Sequence, residues 1–429
     1  LYGHFDTAFG PVIPRHEDAL GRLRAVHAPI GLPFADLARD GIGLAMPERL
    51  PLTVDARRHL DLDAAWYRAG CVAQGNLIPA PDERTVIIPR PEFGTRLYAI
   101  DLATGALASA HPTVRDVAWS PDSRWLVTLG ADAYRPEDSA ALMAALSVRD
   151  RETLSPRTST NIEASSALAT ASDGIWIAKD DGAWRMPWPV GALSADNPAS
   201  HGGSTDPLQG DSLPSLVFTW PEVLAYQPSA DFRWIAVAPG SQRLAYACRG
   251  GACIVDLQGS PIAVVETETG DRVVRDAFWR DDGQRLVLIE ATLKATGPAG
   301  DVGHRLNWHP LKLSSQSPWR FPEEGKPGDA LRILTADGQL LHSIRIPAVG
   351  STASPPRWTA DGRWLIFTSC PLDGRRIIAI DAERGAAVDL SQPGWDAWAV
   401  LMPQSGDLLL HNGRGGLWRA PLVLEREGR

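Results

Sequence analysis

One recurring motif restricts this fold more than any other feature of the chain: an apolar stretch, a tight turn containing Asp or Gly, a basic or polar residue, and a second apolar run. Its clearest copies are Val117-Ala118-Trp119-Ser120-Pro121-Asp122-Ser123-Arg124-Trp125-Leu126-Val127, Ala277-Phe278-Trp279-Arg280-Asp281-Asp282-Gly283-Gln284-Arg285-Leu286-Val287-Leu288 and Pro356-Arg357-Trp358-Thr359-Ala360-Asp361-Gly362-Arg363-Trp364-Leu365-Ile366-Phe367. Weaker copies surround Pro81-Asp82, Ser172-Asp173-Gly174, Pro239-Gly240-Ser241 and Ser405-Gly406. Together they make about seven units at a spacing of roughly 40 to 50 residues, the period of a repeat architecture whose single unit cannot bury its own hydrophobic face.

Within each unit the apolar runs are short, rich in Val, Ile, Trp and Leu, and bounded by Gly, Pro, Asp and Ser, which is the pattern of strands. A third strand with a shared ending follows, seen in Leu97-Tyr98-Ala99-Ile100-Asp101-Leu102-Ala103-Thr104-Gly105, Ile254-Val255-Asp256-Leu257-Gln258-Gly259 and Ile377-Ile378-Ala379-Ile380-Asp381-Ala382-Glu383-Arg384-Gly385. Four antiparallel strands per unit, repeated around an axis, conceal most sheet edges. The expected fold is therefore all-β, a β-propeller of about seven four-stranded blades. The count ranges from six to eight because Asp231 to Val237, just before Pro239, gives the fourth unit two registers. Leu1 to about Tyr67 is not a repeat. Glu17 to Val26 and Phe34 to Arg39 read as short helices, and Leu50 to Val54 as a strand completing the last blade. Residues 1–68 are thus expected to form an extension packed on a ring of residues 69–429.

These repeats resemble those of TolB-type propellers, relatives of WD-type repeats that are also similar to the non-catalytic propeller of prolyl oligopeptidases. The resemblance spans most of the chain. It implies the fold but little about function, since such propellers serve as scaffolds, binding modules and enzyme gates. TolB carries an α/β domain ahead of its propeller, and the first 65 residues here have no alternating strand and helix pattern, so Pal binding is not implied.

Of the 429 residues, 44 % are hydrophobic and 22 % charged, as in soluble globular proteins. No apolar run approaches the roughly 18 residues that span a bilayer. A net charge of -9 with no Lys/Arg-rich block excludes an electrostatic footprint for nucleic acid. Leu1 in place of Met suggests a removed signal peptide. Cysteine placement points the same way. If Gly250-Gly251 is a two-residue hairpin turn, Cys248 and Cys253 face each other at a non-hydrogen-bonded pair with Cα atoms roughly 4.5 Å apart, close enough for a disulfide. A disulfide favours the periplasm or secretion over the cytoplasm. Whether Cys71 and Cys370 pair is left open by spacing alone.

Candidate site residues are sparse. Asp82, Asp122, Asp173, Asp282 and Asp361 share the turn position, where Asp accepts local backbone hydrogen bonds, so they read as structural rather than as acids or metal ligands. Trp119, Trp279 and Trp358 fall in the repeat phase that packs between sheets. His304 and His309 are the weak metal candidates, needing further ligands. His201-Gly202-Gly203-Ser204 has no Gly-x-Ser-x-Gly elbow to accompany it. No phosphate loop, dinucleotide fingerprint, Cys-x-x-Cys or His-Glu-x-x-His motif occurs, so no catalytic residue and no cofactor are assigned. Two functions remain in view: a periplasmic or secreted non-enzymatic propeller binding another protein through the face that carries its long loops, and a hydrolase or lyase with a site or metal in the central funnel. A third, the propeller of a serine peptidase apart from its hydrolase domain, requires that the sequence be part of a longer protein. Ala131 to Met143, Gly191 to Leu213 and Ala295 to Asp329 are expected on one common face, that of the second-to-third-strand and between-blade loops.

Overall fold

The computed structural model describes residues 42–60, 77–90, 96–110, 114–130, 143–163, 167–188, 214–221, 234–240, 242–248, 251–268, 272–292, 330–345, 356–369, 376–391, 398–402, 404–411 and 416–424. The chain enters through β1 (Ile42–Leu44), β2 (Glu48–Arg49) and the helix α1 (Val54–Leu60). Blade 1 is β3 (Ile78–Pro79), β4 (Thr85–Arg90), β5 (Arg96–Asp101) and β6 (Leu107–Ala110). Blade 2 is β7 (Val114–Trp119), β8 (Trp125–Gly130), β9 (Met143–Asp150) and β10 (Pro156–Glu163). Blade 3 is β11 (Ala167–Ala171), β12 (Gly174–Lys179), β13 (Gly182–Met186) and β14 (Ser215–Thr219). Blade 4 is β15 (Ile235–Val237), β16 (Arg243–Cys248), β17 (Gly251–Asp256) and β18 (Pro261–Glu266). Blade 5 is β19 (Arg272–Trp279), β20 (Arg285–Thr292), β21 (Ala330–Thr335) and β22 (Leu340–Arg345). Blade 6 is β23 (Arg357–Trp358), β24 (Trp364–Ser369), β25 (Arg376–Asp381) and β26 (Ala386–Asp389). Blade 7 joins β27 (Trp398–Leu401), β28 (Leu408–His411) and β29 (Leu417–Ala420) to β2, and β30 (Leu422–Leu424) pairs with β1.

Every neighbouring pair is antiparallel, and blades 1 to 6 run in chain order from inner to outer strand, whereas blade 7 takes its outer strand, β2, from the start of the described chain. The fourth unit holds one register: Ile235–Val237 is its inner strand and the Pro239-Gly240 turn leads to β16, so the ring has seven blades. Both faces of a central strand are covered by neighbouring blades, which explains continuous apolar runs such as Leu244 to Tyr246 and Leu286 to Ile289, all fully buried.

Ring closure differs in detail from the sequence expectation. The strand lies at Glu48–Arg49 rather than Leu50 to Val54; Glu48 stands opposite Arg419 and Arg49 opposite Trp418. Leu50 still donates its amide to Leu417 O at 2.9 Å. Thr53 then caps α1, its Oγ1 accepting from Ala56 N at 3.2 Å while donating to Gly105 O at 3.0 Å. A side-chain oxygen three residues ahead of an acceptor-seeking amide starts a helix where apolar content alone suggested a strand. The expected helices at Glu17 to Val26 and Phe34 to Arg39 lie outside the described residues.

Leu52, Ala56 and Leu60 are buried with Leu77, Val86, Ile88 and Tyr98 of blade 1 and Val400, Met402, Leu409 and Leu417 of blade 7. The entering segment thus covers the seam between first and last blades. At about 1.5–3 kcal/mol per buried aliphatic side chain, losing Ile42, Leu44, Leu52 and Leu60 removes an amount comparable to a domain's net stability of about 5–15 kcal/mol. A chain starting at Asp61 is expected to melt well below the full chain and over a broader range in calorimetry; an unchanged melting curve would contradict this closure.

Candidate functional site

Because strands alternate in direction, the ring has two unlike ends. First-to-second and third-to-fourth strand turns lie on one, the turn face; second-to-third and between-blade connections lie on the other, the loop face. The turn-position aspartates belong to the turn face and act locally. Asp82, Asp122, Asp282 and Asp361 each accept, through Oδ1, the amide two residues on, from Arg84, Arg124, Gln284 and Arg363 at 2.9–3.1 Å. The residue after each of them is left-handed: Glu83, Ser123, Gly283 and Gly362 have φ between 58° and 67°. Asp173 instead accepts from the Trp176 indole at 3.1 Å and from Arg185 at 2.8 Å. Among the described residues no group of three or more His, Cys, Asp or Glu side chains converges as a metal cage would require.

Neighbouring blades are stitched together at this end. Ser123 Oγ accepts from Asp82 N at 2.9 Å, and Arg151 reaches across to Thr85 Oγ1 at 3.1 Å and to the Asp82 carboxylate. Arg243 pairs with Asp337 at 3.0 Å between blades 4 and 5. Arg285 donates to Ala382 O at 3.2 Å between blades 5 and 6. Glu83 closes the circle by accepting from the amides of Gln404 and, at 2.7 Å, Ser405 in blade 7.

The third-to-fourth strand turns supply a second stitch. Asp101 takes amides from Ala103 and Thr104, Asp150 from Glu152 and Thr153, Asp256 from Gln258 and Ser260, and Asp381 from Glu383 and Arg384. The left-handed residue closing the turn packs on the preceding blade in blades 2, 4 and 6, and in blade 1 Gly105 packs on Pro51 and Leu52 of the entering segment. A Cβ at Gly259 would meet Phe218 at 2.6 Å, and one at Gly385 would meet His342 at 2.6 Å. In blade 2 the place belongs to Leu154 (φ 56°), whose buried side chain joins Ala80, Ile87, Leu97 and Trp119.

Hydrogen bonding from the Thr104 hydroxyl and amide holds the Asp101 carboxyl below its ordinary value. At Asp150, Asp256 and Asp381 burial acts in the opposite sense, and the donated hydrogen bonds override it, so these too are lowered. The Arg280 side chain does the same for Asp282.

The inner-strand tryptophans are packing residues with a polar tether. Trp119 donates its indole N–H to Ile78 O of blade 1 at 2.9 Å. Trp279 donates to Ala236 O of blade 4, and Trp234 of blade 4 returns the bond to Val274 O of blade 5, both at 3.1 Å. Trp358 is equally buried but is the exception to the tether, since its indole N–H has no hydrogen-bond partner among the described residues.

At the loop face the connections 131–142 and 293–329 join β8 to β9 and β20 to β21, second to third strands as expected. The connection that holds residues 191–213 begins and ends at the other face, since it joins β13 to β14, third and fourth strands of blade 3; residues 191–213 themselves lie outside the described residues. The sequence placed them between blades because β14 is separated from its partner by an unusually long connection and offers no turn signal of its own.

A charged group on blade 5 was not found from sequence. Glu290, fully buried, pairs with Arg332 at 2.6 Å; the same guanidinium donates to Glu266 O of blade 4 at 2.6 Å, and Glu290 accepts from Glu268 N at 3.2 Å. Arg272 and Arg275 are buried on the adjoining inner strand, which shifts register at Arg275. A signal was available: Val274-Arg275-Asp276 repeats Val114-Arg115-Asp116, both ahead of a packing tryptophan and both at a register shift. Charges inside an otherwise apolar inner strand are the irregularity worth reading.

Cys248 and Cys253 form a disulfide with Cα atoms 5.8 Å apart. The register is not the expected one: Cys248 faces Gly251 and Cys253 faces Tyr246, so the loop is Arg249-Gly250 and the cysteines are diagonal neighbours. The pairing is displaced by two residues, which keeps both side chains on one face of the sheet and leaves them bridgeable. Cys71, Cys370, His304, His309 and the His201-Gly202-Gly203-Ser204 loop lie outside the described residues. Among the described residues no helix is long and apolar enough to cross a membrane, which says nothing of β-barrels.

The chain is a seven-bladed β-propeller of four-stranded antiparallel blades. No family model matches it, and no curated protein does. Solved structures that are similar include the β-propeller domain of Cps50 (Swd1) from Myceliophthora thermophila, at 10 % identity and a TM-score of 0.47 over 88 % of this chain and 99 % of that one. The Dos1 propeller matches at 10 % identity and a TM-score of 0.45 over 84 % and 94 %. The β-propeller domain of the Trilobed protease from Pyrococcus furiosus matches at 13 % and 0.40 over 74 % and 83 %.

Tryptic digestion without reduction is expected to recover Leu244–Arg249 joined to Gly250–Arg272; two separate peptides would remove the bridge. For acid stability the sign is fixed by the lowered carboxyls. Their contribution is complete above the ordinary carboxylate value of about 4 and is lost as pH falls through the lower folded values. Melting temperature should be flat from neutrality to about pH 5 and fall below about pH 4, with a shallower fall in Asp101→Asn. Equal acid slopes in the two proteins would show that Asp101 carries none of the effect.

Proposed function

We propose that this propeller is a periplasmic or secreted, non-enzymatic scaffold that binds another protein through its loop face. The observation that carries the proposal is the pair of long connections at the loop face, set beside a turn face where, apart from the connection between β13 and β14, the turns are short and bonded across the seams. The turn face is drawn together by side-chain to backbone bonds across the blade seams, whereas the connections 131–142 and 293–329 leave blades 2 and 5 from the opposite end. Long connections on a rigid scaffold add little closure entropy and offer adaptable contacts, which is where binding functions concentrate. The Cys248–Cys253 bridge supports an oxidising compartment. A net charge of -9 opposes nucleic acid as the partner. Within this proposal residues 1–68 are an extension that packs on the ring of residues 69–429 and closes its last blade through Glu48–Arg49, and the repeats are of TolB type.

The buried Arg272 and Arg275 on the inner strand of blade 5 favour a second reading, a hydrolase or lyase with its site in the funnel. A divalent metal retained through dialysis at one ion per chain, with a raised melting temperature, would support that reading over the first.

Replacing 295–329 by a short Gly-Ser link should leave the melting temperature unchanged and abolish retention of the protein captured by the full chain from its native source. Unchanged retention by the folded variant would remove this loop as the recognition element.

A further inference from the structure

The inner strands of a propeller line its central channel, and in this ring one of them departs from the rest. On β23, Arg357 stands opposite Ile366 of its own blade. The residues in the corresponding place are Ile78, Ala118, Ala169, Ala236, Phe278 and Val400. All six are apolar, so blade 6 alone puts a cation at this level.

Register fixes which way the cation points. Ile366 packs toward blade 7, whereas Leu365, opposite Trp358, packs toward blade 5. Arg357 is therefore turned away from blade 5, yet the carboxylate whose field it feels is Asp281, exposed in the first-to-second strand turn of blade 5. That field crosses the turn-face end of the channel. The surrounding strands hold the guanidinium below the ordinary arginine value, and Asp281 offsets this in part.

Arg357 makes no hydrogen bond and no ion pair with the described residues, and part of its side chain stays accessible. Other sequestered arginines are provided for: Arg149 donates to Thr128 Oγ1 at 3.1 Å and to Leu154 O at 2.9 Å, and Arg332 pairs with Glu290. A guanidinium taken from water with none of its five donors bound costs stability that an aliphatic residue in the same place would not. The fold gains nothing from it. Phe278, at the same level on the adjoining blade, is partly exposed and packs in none of the hydrophobic clusters of the described residues.

Charge and shape narrow the occupant. A guanidinium fork matches a carboxylate through two parallel bonds. With Asp281 nearby and a net charge of -9, a monoanion is favoured over a dianion such as phosphate. Phe278 offers its ring to a flat apolar body. We propose that the central channel holds a small aromatic monocarboxylate, its carboxylate on Arg357 and its ring beside Phe278. The site lies close to the turn that follows β23 and does not rest on protein binding at the loop face.

Benzoate is the probe, titrated calorimetrically into the full chain beside its uncharged isostere benzamide and inorganic phosphate. Benzoate should bind at one site per chain, with benzamide and phosphate at least about tenfold weaker. Arg357→Met should lose at least about tenfold for benzoate while melting at the same temperature or higher, because it removes an unbonded charge and keeps the apolar stem. Arg357→Lys, which keeps the charge without the fork, should fall between the two. Phe278→Leu should weaken benzoate by about threefold and Asp281→Asn should tighten it by about threefold. Asp180→Asn, the same change of charge on an exposed hairpin of blade 3, should do neither.

No saturable benzoate binding up to about 10 mM, benzamide binding as tightly, or unchanged binding in Arg357→Met overturns the proposal. So does a large fall in the melting temperature of Arg357→Met that Arg357→Lys restores, since Arg357 then serves the fold. A short peptide with a free C-terminal phenylalanine that binds at least about tenfold tighter than benzoate through Arg357 also overturns it, because the occupant is then a partner's chain end. Replacement of 295–329 should leave benzoate binding as it is, which keeps failure here distinct from failure of the loop-face proposal.

Discussion

A four-stranded sheet whose two faces are both apolar cannot stand alone in water, and everything else in this molecule depends on how each blade meets the next. The seam is made in three layers. Inner tryptophans reach a carbonyl of the adjoining inner strand, as Trp119 does with Ile78 and as Trp234 and Trp279 do reciprocally. Central strands interdigitate through fully buried Val, Ile and Leu. At the rim of blades 2, 4 and 6, the left-handed residue that closes the third-to-fourth-strand turn rests on the previous blade, which is why Gly259 and Gly385 have no room for a Cβ while Leu154 puts a whole side chain into the same place. Aspartates ahead of these residues hold the turns in shape. The turn chemistry visible in each repeat is thus also the chemistry of the seam.

That dependence explains how much of the fold could be read from the chain. The Asp-Gly turns and the Asp101, Asp256 and Asp381 endings are local hydrogen-bonding devices, so their spacing alone located the blades. Alternation of apolar and turn residues then gave four strands to a blade. The connection 191–213 was misplaced because nothing local marks Ser215–Thr219 as the partner of Gly182–Met186; only the register across a long gap does. The start of α1 was missed for a related reason. Thr53 becomes a cap through Gly105 O, a contact across 52 residues that no local window contains. The cysteine pair shows the reverse case, in which a wrong register still left both side chains on one face and hence within reach.

Candidate sites were less legible because their signals are departures from the repeat rather than the repeat itself. Arg272 and Arg275 break an apolar inner strand, and Glu290 with Arg332 puts a buried ion pair where the same register in blade 4 holds the Cys248–Cys253 disulfide. Burying both charges is offset by the bonds to Glu266 O and Glu268 N, so the pair also fixes how blades 4 and 5 meet at the loop face. On the inner strand of blade 6, Arg357 stands where the other blades have apolar residues. Such departures are visible once the repeats are superposed strand by strand, which a search for motifs does not do.

A ring held in this way should open as one body, unlike an open solenoid whose units unfold separately. Native-state amide hydrogen exchange in increasing denaturant tests this most directly, followed at the central strands of each blade: Ile87, Val127, Ile177, Ala245, Leu288, Ile366 and Leu409. The account predicts that the slowest amides of all seven blades converge on one opening free energy and one denaturant dependence. A ladder of separate opening energies, with some blades exchanging while others stay protected, would contradict it.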